Sequence, residues 1–198
     1  MNVAIVKYNA GNVYSVTNSL KRLGVEPMLT DDADALAKAD CVLFPGQGEA
    51  KGAMAYLKER RLDEVIRNLK QPVLGICIGQ QLLCRHSEEG DVDCIGVFDA
   101  EVIRFRPQRH EDKVPQMGWN SIGNLKSGLF EGIGEGSHVY FVHSYFVPMC
   151  SDTIATTDYI MPFSAALHRD NFYATQFHPE KSGDTGEKII ENFLKMAL

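Results

Sequence analysis

Short apolar runs alternate with helical patterns through the first half of the chain, and this alternation restricts the possible folds more than any other feature. Apolar, β-branched runs at 2–8, 41–44 and 72–76 are typical of buried strands. One helical pattern follows the first run, and another, at 53–69, separates the last two. The first helix is defined by Asn12 as its cap, by Val13, Val16, Leu20 and Leu23 as its apolar face, and by Gly24 as its end. This order predicts a parallel sheet with helices on both faces.

The second half of the chain is rich in strands separated by short polar turns. Strand-like segments lie at 96–105, 138–147, 153–157, 164–168 and 172–178. A final helix from about Thr185 has an apolar face made of Ile189, Ile190, Phe193 and Leu194. Because short turns join antiparallel neighbours, we predict an α/β fold in which a central, mostly parallel sheet is flanked by helices and extended by an antiparallel section.

Length and composition suit one globular unit. With 198 residues, of which 44% are hydrophobic, the chain can build one sizeable core, and we expect a single domain over 1–198. No apolar run approaches the ~20 residues that cross a bilayer, and the first residues show no basic leader, so we expect a cytoplasmic protein. The net charge of -6 argues against nonspecific binding of nucleic acid.

One local cluster of positive charge departs from this acidic balance. It consists of Arg104, Arg106, Arg109 and Lys113, around a polar loop at 107–113. We favour a solvated surface around a turn, with contact to an acidic partner as the alternative interpretation.

Glycines on both sides single out one of the five cysteines as a candidate nucleophile. Gly75 and Gly79 flank Cys77 at the offsets of a G-x-nucleophile-x-G elbow between a strand and a helix. The start of that helix directs N–H groups at the sulfur and favours the reactive thiolate. A small buried apolar residue is the alternative, and the pattern alone leaves both open. The cysteines form no close C-x-x-C pair, so we expect reduced thiols and no metal site.

A base and its orienting carboxylate follow near the other end of the chain. In the stretch 174–183, His178 ends a predicted strand, and Pro179 stiffens a turn that carries Glu180 beside it. A carboxylate bonded to the far ring nitrogen of a histidine fixes its tautomer and stabilises the imidazolium ion. A histidine at a strand end is more often structural, but its combination with the Cys77 elbow favours a Cys-His-Glu triad.

These stretches resemble the class I, or triad, glutamine amidotransferases. Cys77, His178 and Glu180 match the cysteine, histidine and glutamate of that family one for one. Its oxyanion loop is similar to the stretch 44–50, and its substrate-binding glutamine is similar to Gln81. The resemblance implies a flavodoxin-like fold and the hydrolysis of L-glutamine to glutamate and ammonia, without a metal or cofactor.

Within that family, the chain is similar from its first strand to its final helix to the glutaminase subunits of imidazole glycerol phosphate synthases. The matching stretches are PGQGEAKGAM at 45–54, VPQMGWN at 114–120 and YFVHSYFV at 140–147. Gln47 replaces the usual valine of these subunits, and Gln116 replaces the usual histidine. By resemblance Gln47 acts through its backbone N–H group, so its side chain is free to vary. The replacement at Gln116 affects the contact with the partner subunit that the resemblance implies.

The same resemblance implies a role for each remaining site residue. The oxyanion hole is formed by backbone N–H groups of Ile78 and of Gln47 or Gly48. Glutamine is held by Gly46, Gln81, His143, Ser144 and Tyr145. Tyr140 and Lys181 belong to the ammonia exit or the partner interface. Met117 and Trp119 are large apolar side chains in a loop between predicted strands, as an interface anchor would be, and a small satellite core is the alternative for Trp119.

The implied partner is the cyclase subunit, a (β/α)8 barrel that forms a heterodimer with the glutaminase. It uses the ammonia to make imidazole glycerol phosphate and an aminoimidazole carboxamide ribotide in histidine biosynthesis. Glycines on both sides of Gln47 would let its peptide unit take two orientations, so we expect the partner to switch on an otherwise poor glutaminase. The alternatives are the glutaminase of pyridoxal phosphate synthesis, an independent cysteine hydrolase such as a gamma-glutamyl peptidase, and a noncatalytic binding module on the same fold.

Overall fold

The computed structural model describes residues 1–9 and 13–198, so Asn12, the predicted cap of the first helix, lies outside the described residues. In these residues the strands are, in chain order, β1 Val3–Val6, β2 Met28–Thr30, β3 Cys41–Phe44, β4 Val73–Ile76, β5 Cys84–Ser87, β6 Val92–Asp93, β7 Phe98–Arg104, β8 Gln116–Ser121, β9 His138–His143, β10 Tyr145–Phe146, β11 Thr153–Tyr159, β12 Met161–Arg169 and β13 Phe172–Thr175. The helices of the same residues are α1 Val13–Arg22, α2 Ala33–Lys38, α3 Ala50–Glu59, α4 Leu62–Arg67, α5 Ile78–Leu83 and α6 Gly183–Lys195. Short 3₁₀ turns lie at Gly128–Phe130 and Pro179–Lys181.

The predicted central sheet has seven strands in the order β11-β12-β13-β4-β3-β1-β2. Neighbours from β2 to β13 pair in parallel, and β12 and β11 continue the sheet with antiparallel pairing. Strands β1, β3 and β4 are buried along their whole length. That burial on both faces explains why their sequences are continuous apolar runs rather than alternating patterns.

Helices cover both faces of this sheet. Successive side chains of a strand point to opposite faces, so Val42 and Phe44 of β3 join the core formed with α2, α3, α4 and α5. Leu43, between them, joins the core formed with α1 and α6 on the other face. The apolar positions predicted for α1 and α6 belong to this second core.

The antiparallel section is less continuous than predicted. β11 and β12 extend the main sheet as expected, but β7 belongs to a separate sheet with the order β10-β7-β5-β6, and β8 pairs with β9 in a two-stranded ribbon. The prediction of one strand at 138–147 is therefore wrong, because β9 pairs with β8 while β10 pairs with β7, and the chain changes partner at Ser144. An apolar pattern does not reveal which strand is the neighbour.

Three further boundaries differ from the predictions. The helix predicted at 53–69 is two helices, α3 and α4, because Arg61 takes the left-handed conformation at φ 55° and interrupts it. Met117 and Trp119 lie in β8 rather than in a loop. His178 lies beyond the end of β13 and immediately precedes the 3₁₀ turn at 179–181. No helix of the described residues is long and apolar enough to cross a membrane.

Candidate active site

Cys77 lies at the carboxyl end of β4, between that strand and α5. Its backbone has φ 55° and ψ -108°, a conformation that non-glycine residues rarely adopt and that a strained nucleophile elbow requires. The Cys77 N–H donates to the Thr175 carbonyl at 2.7 Å, which ties the elbow to the end of β13. Ligands of open α/β sheets bind at this carboxyl edge.

The flanking glycines are needed because the chain is crowded around the elbow. A Cβ atom at Gly79 would overlap with the Phe44 carbonyl oxygen, and one at Gly75 would lie 2.8 Å from Leu83. Neither position has room for a side chain. The G-x-nucleophile-x-G pattern therefore fits the space available at this turn.

His178 and Glu180 form a buried pair beside the elbow. Nδ1 of His178 lies 2.7 Å from Oε1 of Glu180, and each side chain is 2% exposed. Ser182 holds the turn, because its hydroxyl donates to the His178 carbonyl at 2.6 Å and accepts from the Tyr140 N–H at 2.9 Å. Glu180 orients the ring through this contact, and the other ring nitrogen, Nε2, is buried without a hydrogen-bond partner among the described residues.

The sulfur of Cys77 acts directly on the charge of His178. Burial alone lowers the pKa of the imidazole, but the negative sulfur and the Glu180 carboxylate outweigh burial and raise the pKa to about 10. An imidazolium beside a thiolate is the ion pair in which a cysteine attacks a carbonyl. Burial raises the pKa of Cys41 and of Cys94 to about 12, so these two remain thiols.

A cavity of about 400 Å³ opens at this edge of the sheet, large enough for an amino acid. Its lining brings together most of the residues selected from the sequence, namely Gln47, Gly48, Cys77, Ile78, Gln81, His143, Ser144, Tyr145 and His178. Glu180 stands behind His178, outside the lining. Within the part of the chain that the structure describes, no group of His, Cys, Asp and Glu side chains is arranged to hold a metal ion.

The loop after β3 packs tightly against the start of α5. A Cβ atom at Gly46 would overlap with Ile78 and with the Tyr8 hydroxyl, which itself donates to the Pro45 carbonyl at 2.6 Å. Gly48 has φ 132°, in the region that favours glycine, and it lines the cavity. The loop is therefore anchored at its first two residues and borders the cavity at the following ones.

Gln81 belongs to a buried cluster of side-chain amides. Its Nε2 donates to the Tyr145 carbonyl at 2.9 Å and to Oε1 of Gln176 at 3.0 Å. With both amide protons used, the Gln81 oxygen is left as an acceptor for a ligand in the cavity. Gln176, which no sequence motif singled out, donates in turn from its Nε2 to the Cys77 sulfur at 3.7 Å. Its position two residues before His178 was the available signal, since alternate residues of an extended chain share a side.

Glu89 is a second cavity residue that the sequence did not reveal. It is half-buried, and its Oε2 accepts from the Ala50 N–H, at the start of α3, at 2.9 Å. Burial raises the pKa of its carboxyl, and the bond from Ala50 only partly opposes that rise. Nothing in the local sequence distinguishes Glu89 from Glu88, which instead accepts from the Arg104 N–H and the Arg106 side chain.

His143 is a buried ring with contacts at both nitrogens. Nδ1 lies 2.7 Å from the Tyr145 carbonyl oxygen, and Nε2 lies 3.0 Å from the side chain of Gln116. Burial is the main cause that lowers the pKa of His143 to about 4, and the positive charge of His178 adds to it. His143 is therefore neutral near pH 7 and supports the wall of the cavity. Gln116 is buried with it rather than exposed for a partner.

The ribbon of β8 and β9 carries an exposed apolar patch, made of Met117 and Trp119, which are 67% and 57% exposed. The Trp119 ring packs edge-on against Tyr140, with ring centroids 6.1 Å apart. The Tyr140 carbonyl accepts from the His178 N–H at 2.9 Å, and Lys181 ends the 3₁₀ turn that follows. The four residues predicted for the partner contact thus lie on the ribbon or on the catalytic turn bonded to it.

Known proteins match the chain over its whole length. The family model described as Glutamine amidotransferase class-I matches residues 4–197. The chain is 64% identical over 196 residues to imidazole glycerol phosphate synthase subunit HisH of Bacteroides thetaiotaomicron, covering 99% of this chain and 100% of the relative. It is 44% identical over 198 residues to the HisH subunit of Escherichia coli K12, covering 99% of this chain and 100% of the relative.

Solved structures share the fold at lower identity. A crystal structure of a glutamine amidotransferase matches with a TM-score of 0.76 at 20% identity, covering 99% of each chain. A second glutamine amidotransferase, from Thermotoga maritima, matches with a TM-score of 0.64 at 18% identity, covering 98% of this chain and 83% of the other. These likenesses concern the fold alone, and with the sheet order they confirm the predicted α/β architecture.

Proposed function

The chain belongs to the class-I glutamine amidotransferases, and we propose that it is the glutaminase subunit of an imidazole glycerol phosphate synthase in histidine biosynthesis. The observation that carries this function is the buried His178–Glu180 pair, which stands beside the Cys77 elbow at a cavity of amino-acid size. The 64% identity to a HisH subunit supports this synthase over pyridoxal phosphate synthesis or an independent hydrolase.

The reaction has two covalent steps. The Cys77 thiolate attacks the side-chain carbonyl carbon of glutamine, a C–S bond forms, and the carbonyl oxygen takes up negative charge. The His178 imidazolium gives its proton to the amide nitrogen, the C–N bond breaks, and ammonia leaves a thioester behind. His178, now neutral, takes a proton from water as the water oxygen attacks the thioester. Glutamate leaves, and the thiolate and imidazolium are restored.

Backbone N–H groups stabilise the charged oxygen of each tetrahedral intermediate. The candidates are the N–H of Ile78 and that of Gln47 or Gly48, because these residues border the cavity next to Cys77. One such donor is typically worth ~3–4 kcal/mol in the transition state. Gly46 contributes by its small size, which lets the loop approach Ile78.

The polar ends of glutamine are held by groups of opposite character. The free oxygen of Gln81 and the carboxylate of Glu89 are both acceptors, so they suit the α-ammonium group. The segment His143–Tyr145 lines another part of the cavity and receives the α-carboxylate at its backbone N–H groups and the Ser144 hydroxyl.

Ammonia passes to a cyclase subunit, a (β/α)8 barrel that forms a heterodimer with this chain. Met117 and Trp119 supply the apolar anchors of the interface. Large apolar side chains that are exposed in the single chain are typical of the residues that become buried at the centre of an interface. We infer that Tyr140, whose carbonyl accepts from the His178 N–H, lines the ammonia exit, and that Lys181, at the end of the catalytic turn, meets the cyclase. Five unpaired cysteines suit a reducing compartment, which supports a cytoplasmic location.

The division of labour is tested with Cys77→Ala in the complex with the cyclase. We expect glutamine-dependent synthesis to disappear while synthesis from added ammonium salt persists, because the cyclase chemistry lies on the other chain. Loss of both activities, with the complex still assembled, would contradict the proposed function.

Control by the partner is tested by steady-state kinetics. Glutamate release is measured for the isolated chain, for the complex, and for the complex with the nucleotide ligand of the cyclase. We expect release to rise about a hundredfold from the first to the last, a typical allosteric coupling. Full turnover by the isolated chain would favour an independent hydrolase instead.

A further inference from the structure

Gln176 touches the nucleophile and has no role in the mechanism above. It directly follows β13 and is fully buried. Its side chain lies on the same side of the chain as His178, whereas Phe177 between them packs against Phe141 in the core, with ring centroids 5.8 Å apart. Gln176 and His178 therefore reach Cys77 from alternate positions of one segment.

A backbone carbonyl fixes the direction of the Gln176 amide. The Tyr145 carbonyl can only accept, so Gln81 turns its NH₂ group toward it, at 2.9 Å. The second proton of that NH₂ group points at Gln176, which must present its oxygen, at 3.0 Å. The NH₂ group of Gln176 then faces the Cys77 sulfur at 3.7 Å. A rotated amide would oppose two NH₂ groups, so the donor at the sulfur is not interchangeable with an acceptor.

We propose that Gln176 is a further catalytic residue, which donates a hydrogen bond to the Cys77 sulfur and stabilises it as the thiolate. This role rests on the proposed function, because Cys77 must be the nucleophile. A donor at the sulfur favours its charged form, since hydrogen bonds to ionised acceptors are about twice as strong as those between neutral groups. The same donor assists the last step of the reaction, in which the sulfur leaves the thioester and regains its charge.

The Val142 carbonyl acts on the sulfur in the opposite direction. It lies 3.8 Å from Sγ and can accept only from the neutral thiol. Gln176 and Val142 thus favour opposite protonation states of Cys77. Without the Gln176 donor, the thiol keeps the Val142 carbonyl as its acceptor, but the thiolate loses a hydrogen-bond donor. The equilibrium between the two forms of Cys77 therefore shifts toward the unreactive thiol.

The titratable groups around Cys77 come from several elements. His178, backed by Glu180, provides the positive charge. Tyr8, after β1, stays neutral because burial and the sulfur raise its pKa far above the usual range. His143, at the end of β9, is neutral near pH 7, because burial lowers its pKa to about 4. Glu89 borders the same cavity and is unchanged in the variants below.

The test is the pH dependence of Cys77 alkylation by iodoacetamide in the full chain, followed by peptide mapping. Gln176→Met keeps the volume and removes the donor. Gln176→Glu keeps the acceptor for the NH₂ group of Gln81 and also removes the donor. Gln80→Met is the matched control, because Gln80 is an equally buried amide on α5 that has no hydrogen-bond partner among the described residues.

We expect the midpoint pH of alkylation to rise by about one pH unit in Gln176→Met and further in Gln176→Glu, with an about tenfold slower reaction at neutral pH. Gln80→Met should leave the midpoint unchanged. An unchanged midpoint in folded Gln176→Met overturns the proposal. The new carboxylate of Gln176→Glu raises the midpoint by its charge alone, so the amide resonance of the native chain decides if the methionine variant does not fold. In the ¹⁵N-labelled native chain, the Gln176 side-chain amide resonance should move with the Cys77 titration, and a constant resonance equally overturns it.

The readout is thiol chemistry, so it is independent of turnover. A glutaminase assay of the same samples, in complex with the cyclase, separates the two claims. A chain whose Cys77 titrates as expected but releases no glutamate contradicts the proposed function and leaves the role of Gln176 standing. An active chain whose Gln176 variants show unshifted midpoints supports the proposed function and overturns the role of Gln176.

Discussion

The side chain of Gln116 lies 3.0 Å from Nε2 of His143, and the two are buried together. Through Nδ1, His143 contacts the Tyr145 carbonyl, which also accepts from Gln81. Polar contacts therefore run without interruption from the β8–β9 ribbon to the amide cluster at Cys77. Because the same ribbon exposes Met117, a residue next to the surface patch is bonded to the support of the active site.

Replacing Gln116 with methionine should destabilise the chain. The change leaves Nε2 of His143 buried without a partner, and an unsatisfied buried polar group costs about 1–3 kcal/mol. We expect a loss of this size in the free energy of unfolding by urea. Met117→Gln, at the adjacent exposed position, is the control and should stay within about 0.5 kcal/mol of the native chain. Equal losses in both variants would contradict a specific role for the Gln116–His143 contact.

The neutral state of His143 should make stability depend on pH on the acid side. Its pKa falls from the usual 6.5 to about 4 on folding, so the unfolded chain binds more protons between these two values. The stabilisation is therefore complete above pH 6.5 and is lost as the pH falls toward 4, by up to ~1.4 kcal/mol per pH unit. Urea unfolding across this range should show a smaller slope for His143→Gln. His110→Gln, on the exposed loop, should keep the native slope.

Replacing Glu89 with glutamine should weaken the binding of the substrate. The change removes the negative charge that we propose to meet the α-ammonium group of glutamine, and a charge-assisted hydrogen bond lost corresponds to a roughly tenfold to hundredfold rise in KM. Steady-state glutaminase kinetics of the complex measure it. Glu88→Gln is the matched control, because Glu88 is bonded to Arg104 and Arg106 instead. A similar KM in both variants would remove Glu89 from the binding site.

Replacing Glu180 with glutamine should lower kcat and leave KM nearly unchanged. The neutral amide no longer stabilises the imidazolium ion, and the pKa of His178 should fall. General acid–base catalysis contributes about 10²–10⁴ in rate, so we expect a loss of at least about a hundredfold in kcat. An NMR titration of His178 provides the independent reading, and an unchanged kcat would argue against the triad.

Replacing Trp119 with alanine should weaken assembly with the cyclase without changing the fold. The ring is 57% exposed and packs edge-on against Tyr140, so its loss from the isolated chain removes little packing. At an interface, a buried tryptophan is often worth ≥ 2 kcal/mol, so we expect Kd to rise about thirtyfold or more in a binding titration. Tyr14→Ala, at another exposed aromatic side chain, is the comparison. An unaffected Kd for Trp119→Ala would place the interface elsewhere.

The features that depend on local pattern were predictable from the amino-acid sequence. Continuous apolar runs revealed β1, β3 and β4, because strands buried on both faces need apolar side chains on each side. The glycines around Cys77 revealed the elbow, because the crowding that excludes a Cβ atom acts within a few residues. His178 and Glu180 were recognisable for the same reason, since a ring and a carboxylate two residues apart meet within one turn.

Contacts between side chains that are distant in sequence depend instead on the packing of the whole fold. Gln176 lies 99 positions from Cys77 and 95 from Gln81 along the chain, yet the parallel pairing of β4 with β13 brings all three together. Glu89 enters the cavity because its carboxylate accepts a hydrogen bond from the start of α3. The strand predicted at 138–147 is interrupted at Ser144 because β9 and β10 pair with different strands. Neither propensity nor periodicity contains this information, because hydrogen bonds and charges act across space between segments whose proximity is set by packing of the whole core.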